Sequence, residues 1–310
     1  STLVKFFCTL IALIACVSIS FAQTDAYWQQ EVNYNIEVSL DDNKHELQGV
    51  INITYVNNSP DTLQYLYFHL WPNAYKNINT AFAKQQLENG STDFRFSNKA
   101  DKGYIDGLDF MVNNLPAQFI PDSTHIDYGI LKLNNPLYPG GKLTIKTPFH
   151  VKIPESYSRL GHVEQSYQIT QWYPKPAVYD KEGWHPMPYL DQGEFYSEFG
   201  TFNVKITLPA NYVVGASGDL KTESEARWLD SLASGSIRAW QEQSFPESSK
   251  QTKTLEYELK NAHDFAWFAD KRFKVKKDKA ILGNGDTVVC WAMYTSTGKK
   301  GIWNEGTKYV

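Results

Sequence analysis

The sequence predicts an all-β chain: one large, mostly antiparallel β-sandwich domain with a few short helices. Three observations point there. Apolar and polar residues alternate over most of the chain, helical signals are few and short, and Gly-, Asn- and Asp-bearing turns separate the alternating runs. The 310 residues suit one large domain or two ordinary ones. With 42% hydrophobic and 15% aromatic residues, the chain can bury a sizeable core and is not a disordered one. A net charge of −4 with no basic stripe argues against nucleic acid as the main partner.

The elements follow in order. Lys5 and an apolar run ending in Ser20 and Ala22 read as a secretory signal over residues 1–22. An alternative is a lipobox ending at Cys16, which would make that cysteine a lipid anchor. Either way the protein is expected to be exported, as a periplasmic or extracellular protein or an outer-membrane lipoprotein. Val32, Tyr34, Ile36, Val38 and Leu40 alternate with polar residues, as do Leu47, Ile51, Ile53 and Tyr55, and Asp41, Asp42 and Asn43 supply a hairpin turn between the two runs. Phe202 to Leu208 and Leu255 to Leu259 repeat the pattern. Thr80 and Gly90 bracket one short helix. Thr222 and Glu225 form the capping-box pattern of another, inside a polar insertion of about residues 221–253. The β domain is expected over 23–286. Residues 287–310 begin as a strand, turn towards helical composition and stop without a cap, which suggests truncation. Once Cys8 and Cys16 leave with the signal, Cys290 remains, without a disulfide partner and expected as a small buried hydrophobe.

Candidate chemistry is sparse. The seven histidines include no pair four residues apart, so no helix face offers zinc two imidazoles. "HELQG" from His45 starts like a metalloprotease helix, but Gly49 stands where the second His must be. There is no G-x-S-x-G elbow. "YPGGKL" and "GNGD" read as β-turns. Asp180, Glu182, Asp191, Glu194 and Glu198 crowd around His185, either as solvated loop residues or as a carboxylate pair for glycoside hydrolysis. Trp172, Tyr173, Tyr179, Trp184, Tyr189, Phe195, Tyr196 and Phe199 are expected in the core or an interface, with stacking on sugar rings as the other use.

The stretch "QSYQITQWYPKPAVYDKEGWHPMPYLDQGEFYSEFGTFNVKITLPANYVVGASGDL" (165–220) resembles the N-terminal β domain of the zinc aminopeptidase family of the gluzincin clan, the relatives of membrane alanyl aminopeptidase. Its look is that of secreted Bacteroidetes-type members. Segments 34–77 and "FAWFADKRF" (265–273) fit the same pattern, so the resemblance covers about residues 27–310. It implies a β saddle followed by a thermolysin-like catalytic domain beginning near Thr287. That domain carries H-E-x-x-H and a further Glu as zinc ligands and a G-x-M-E-N loop for the peptide amine. Neither motif occurs in this sequence, so the resemblance implies zinc held by missing polypeptide, with no metal ligand and no catalytic residue in the present chain. Partners would be a peptide substrate and the chain's own C-terminal catalytic domain. The family's β domain also offers a Gln or Glu to the substrate α-amine, and counting back from Tyr173-Pro174 matches it to Gln165, with Gln168 as rival. A carbonyl oxygen is a fitting acceptor for an ammonium. The competing expectation is a secreted carbohydrate- or protein-binding sandwich without catalysis, using Trp172 and Trp184.

Overall fold

The computed structural model describes residues 27–236, 244–295 and 302–308. The expected signal segment, with Cys8, Cys16 and the cleavage point, lies outside the described residues. The chain is mostly β, arranged in several largely antiparallel sheets, as the alternation predicts.

The largest sheet has nine strands. Eight run side by side in the order 219–220, 252–262, 200–209, 31–41, 46–56, 142–152, 111–112 and 115–116, and 104–106 joins the 142–152 strand. Its centre is the hairpin read from sequence. Glu31–Asp41 and Glu46–Val56 pair antiparallel from Glu31↔Val56 to Asp41↔Glu46. Val32, Tyr34, Ile36, Val38 and Leu40 point into the core and their neighbours out. The turn forms because Asp41 Oδ1 accepts from the backbone N–H groups of Asn43 and Lys44, each at 3.1 Å. Gly49 interrupts the apolar alternation for a steric reason: the Phe149 ring from the facing strand occupies the space a Cβ would need. Glu31–Asp41 runs parallel to Gly200–Pro209, so the chain crosses over between residues 41 and 200 to complete the sheet.

Two four-stranded sheets pack against this frame. One follows the order 175–176, 63–69, 128–137, 119–121, the other 161–163, 166–169, 267–270, 213–216. Tyr34, Phe68, Trp71, Trp172, Tyr173, Phe202 and Trp267 are shared by one core cluster, each almost fully buried. A smaller cluster joins Leu229 and Leu232 of the helix Glu223–Ala233 to Val275, with Trp291 and Met293 against it. There Lys274–Ile281 pairs with Thr287–Tyr294 along its whole length, so the expected junction at 286/287 falls in a hairpin turn. Cys290 is buried on that hairpin, as expected.

The helix Ala81–Glu88 is capped as predicted, Thr80 Oγ1 accepting from Ala83 N at 3.2 Å. The capping box at Thr222 is not. The helix is present, but Thr222 Oγ1 accepts from Glu256 N at 2.8 Å, and the Glu225 carboxylate pairs with Lys253 at 2.6 Å. The strand Thr252–Ala262 and its flank draw both side chains away from the helix terminus.

Candidate substrate-facing site

Gln165 sits in the tight turn between the strands Gly161–Val163 and Ser166–Ile169, where Glu164 takes a left-handed φ of 50°. Its side chain belongs to a structural knot. The Oε1 accepts from Lys271 Nζ at 2.5 Å, and the Nε2 reaches Asp42. Asp42 is a buried hub that also accepts from Tyr212 (2.8 Å) and Ser248 on Oδ2, and from Tyr167 on its backbone oxygen. The Lys271 side chain is wholly buried 3.9 Å from that carboxylate. The acceptor oxygen of Gln165 thus already holds an ammonium, that of Lys271. Gln168 donates from Nε2 to Ser156 Oγ (2.7 Å) and the Ser158 carbonyl (2.6 Å), which fastens its strand to the preceding loop.

A third glutamine, three residues on, is placed differently. Gln171 follows the strand Ser166–Ile169 with φ 47°, a left-handed conformation that non-Gly residues rarely adopt. Its Nε2 donates to Asp264 Oδ2 at 3.2 Å, while its Oε1 is buried with no hydrogen-bond partner. Thr170 Oγ1 beside it, and Trp267 Nε1 on the strand that pairs with Ile169, are likewise buried and unpartnered. Native structures leave few such groups, and each costs about 1–3 kcal/mol, so three in one neighbourhood call for an account.

Asp264 fixes the glutamine. It accepts from Tyr173 OH at 2.7 Å and Phe265 N at 2.8 Å, and Lys175 Nζ lies 3.3 Å away. Burial pushes its carboxyl up, but the Lys175 charge and the hydrogen bonds from Tyr173, Phe265 and Gln171 outweigh burial and hold it below the usual carboxylate range. Lys175 is itself fully buried, donates to the His263 carbonyl, and has its pKa lowered by burial against the pull of Asp264. The segment "QWYPK" therefore folds over one anchored carboxylate: Gln171, Tyr173 and Lys175 all converge on Asp264. Gln171 carries no mark in the sequence: counting back from the Pro leads to Gln165 or Gln168, and a left-handed φ at a glutamine has no sequence signal.

Of the eight aromatics expected in core or interface, three are buried, three are partly exposed, and Tyr196 and Phe199 are exposed. Trp172, Tyr173 and Tyr189 are core. Trp172 donates its indole N–H to the Phe265 carbonyl at 3.0 Å and has no exposed face, so the expectation that it stacks on sugars is corrected; Trp184 stays partly exposed. The carboxylates around His185 do not form one site. Asp180 pairs with His185 at 2.7 Å, and Asp191 accepts from Ser158. Glu198 lies buried, accepting from Tyr179 N, and burial raises its carboxyl to about 7.

Among the described residues no group of three or more His, Cys, Asp or Glu side chains is arranged to hold a metal ion. The nearest approach of two histidines, His45 stacked on His162 with ring centroids 3.8 Å apart, is face to face and engages both Nδ1 atoms elsewhere.

Compared as a fold, the chain is similar to crystal structures of M1 zinc metallopeptidases. One, from Deinococcus radiodurans, shares 13% identity at a TM-score of 0.46, covering 89% of this chain and 50% of that one. A mutant from the same organism, bound to a Tyr-Ser-Ala substrate, gives 12% and 0.48, covering 90% and 52%. A two-domain M1 zinc metallopeptidase mutant bound to L-arginine gives 12% and 0.48, covering 88% and 49%. The chain spans about half the length of these structures. No family model and no curated protein matches the sequence.

Proposed function

We propose that this chain is the N-terminal β portion of an exported zinc aminopeptidase, an enzyme releasing residues from peptide N-termini. In this reading the β portion builds one side of the substrate cleft, and zinc is held by polypeptide following Val310. The run before Gln23 would export the protein, by cleavage after Ala22 or by lipidation at Cys16. The reading rests on the sequence resemblance over 27–310 and on one structural observation, the unpartnered carbonyl of Gln171. An ammonium is the donor such an oxygen lacks. In this reading Gln171 takes the α-amine role: the Gln165 carbonyl is held by Lys271, and Gln168, whose amide nitrogen is tied to Ser156 and Ser158, stays the rival acceptor. Asp264 holds the Gln171 amide nitrogen and so fixes the direction of the carbonyl; because that oxygen is buried, the segment carrying Gln171 must shift for a substrate amine to reach it.

The test is turnover of an aminoacyl arylamide by the 310-residue chain and by the product of its reading frame continued past residue 310. The proposal expects chelator-sensitive release of the arylamine from the longer product and none from the shorter. A frame that closes without an H-E-x-x-H, or turnover by the 310-residue chain itself, would overturn it.

A further inference from the structure

We infer that the outer face of the sheet containing Leu63–His69 is a binding platform for an extended, neutral glycan. This site is separate from the Gln171 region and does not depend on the peptidase reading. Strand alternation puts Leu66 and Phe68 in the core and sends Tyr65 and Tyr67 to the opposite face. Solvated sheet faces are ordinarily polar; this one is aromatic. Across it runs a continuous row of rings: Trp28 against Tyr179 (centroids 5.9 Å apart), Tyr179 against Trp184 (4.9 Å), Trp184 against Tyr65 and Tyr67 (6.2 and 6.0 Å), and Tyr67 against Tyr128 (6.4 Å). None of the six is buried; Tyr65 is 38% exposed and the others are partly exposed. The short hairpin pairing Tyr179 with Trp184 lays its two rings beside those of the sheet.

The chemistry of the row selects the ligand. Rings with hydroxyl and indole N–H edges bind groups that have an apolar face and a polar rim. A pyranose ring offers C–H faces and outward hydroxyls. Carboxylates outnumber lysines around the row: Asp61 accepts from Tyr179 OH at 2.8 Å and Asp180 and Glu182 lie in the same hairpin, against Lys181 there and Lys132 opposite Tyr65. Such neighbours repel nucleic acid, anionic lipid and acidic sugars. They also accept hydrogen bonds from sugar hydroxyls, which a polyproline ligand, with no N–H, cannot donate. Tyr65 and Tyr67 also meet edge to face at 5.7 Å, so the six rings form a contiguous patch, broader than the cage that boxes a single cation at one point.

The experiment is affinity electrophoresis of the chain through gels containing hydroxyethyl cellulose, glucomannan or dextran, with poly-L-proline and poly-L-lysine binding measured in parallel. At least one neutral polysaccharide is expected to retard the protein. Trp184→Ala and Tyr65→Ala should each weaken that retardation about tenfold, the scale of losing one anchor ring. Tyr138→Ala, an exposed ring off the row, should leave it unchanged. Unfolding midpoints show whether each variant folds, and Tyr65→Ala, already exposed, keeps the test open if Trp184→Ala does not. No retardation by any polysaccharide, retardation indifferent to both substitutions, or preferential binding of polyproline or polylysine would overturn the inference.

Discussion

At Gln171 the backbone sits at φ 47° and the side-chain carbonyl faces no donor, yet the amide nitrogen is pinned by Asp264. Asp264 and Lys175 are the clamp. Replacing Asp264 with Ala leaves the Lys175 ammonium buried without its carboxylate, and the chain is expected to lose about 3–5 kcal/mol in urea unfolding. An unchanged midpoint would mean that the pair does not hold this loop. Glu198 provides a second test. Its folded carboxyl is raised to about 7 from the ordinary 4.5 by burial, with Asp180 adding to the rise against a hydrogen bond from Tyr179. The folded state thus binds this proton more tightly than the unfolded state. The stabilising contribution is complete below about pH 4.5 and is lost as pH climbs through 7. Glu198→Gln should flatten the stability profile between pH 5 and 8 and raise the unfolding free energy at pH 8 by about 1–3 kcal/mol, read from urea titrations. His162 works in the opposite sense: burial, then neighbouring His45, lowers it to about 4, so its neutral form stabilises the fold and acidification below about 6.5 removes that contribution. His162→Gln should blunt acid destabilisation, read from melting points at pH 4 and 7. At this scale the sequence was least informative. The acceptors of Gln165 and Gln171 differ by Lys271, which lies a hundred residues away and meets only the first.

Among elements, the central hairpin was legible because alternation and turn chemistry are both local. The short strands at 161–169 and 175–184 were not, since each is only a few residues long and carries no full period. Thr80 and Thr222 show the same contrast. Both precede short helices, but a neighbouring strand takes over the second. Thr80→Ala removes a cap and a buried hydroxyl that also donates to the Ala74 carbonyl at 2.7 Å, and should cost about 1–2 kcal/mol in denaturant unfolding. The parallel pairing of Glu31–Asp41 with Gly200–Pro209 depends on Gly200, where any Cβ would collide with the Val32 carbonyl. Gly200→Ala is therefore expected to lower the melting temperature by several degrees through displaced backbone. A melt unchanged from the parent would show that the two strands can part without loss.

On the scale of the whole molecule, a nine-stranded sheet, two smaller sheets and a shared aromatic core hold the Gln171 clamp on one segment and the aromatic row on another. The β-rich architecture was readable from alternation, whereas the crossover that makes the 31–41 and 200–209 strands neighbours was not, because pairing of residues 168 apart leaves no trace in local pattern. The division of the "QWYPKPAVYDKEGW" region into buried and partly exposed rings was equally hidden: Trp172 and Trp184 look alike in sequence, yet the first is fully buried and the second is not. What the molecule does as a whole turns on whether Gln171 receives a peptide amine. The direct measurement is kcat/KM for an aminoacyl arylamide, with the longer gene product carrying Gln171 or Gln171→Ala. The account predicts a loss of about tenfold or more, carried largely by KM, while Gln165→Ala shifts the melting point instead. Equal kcat/KM for Gln171→Ala and the parent would contradict it.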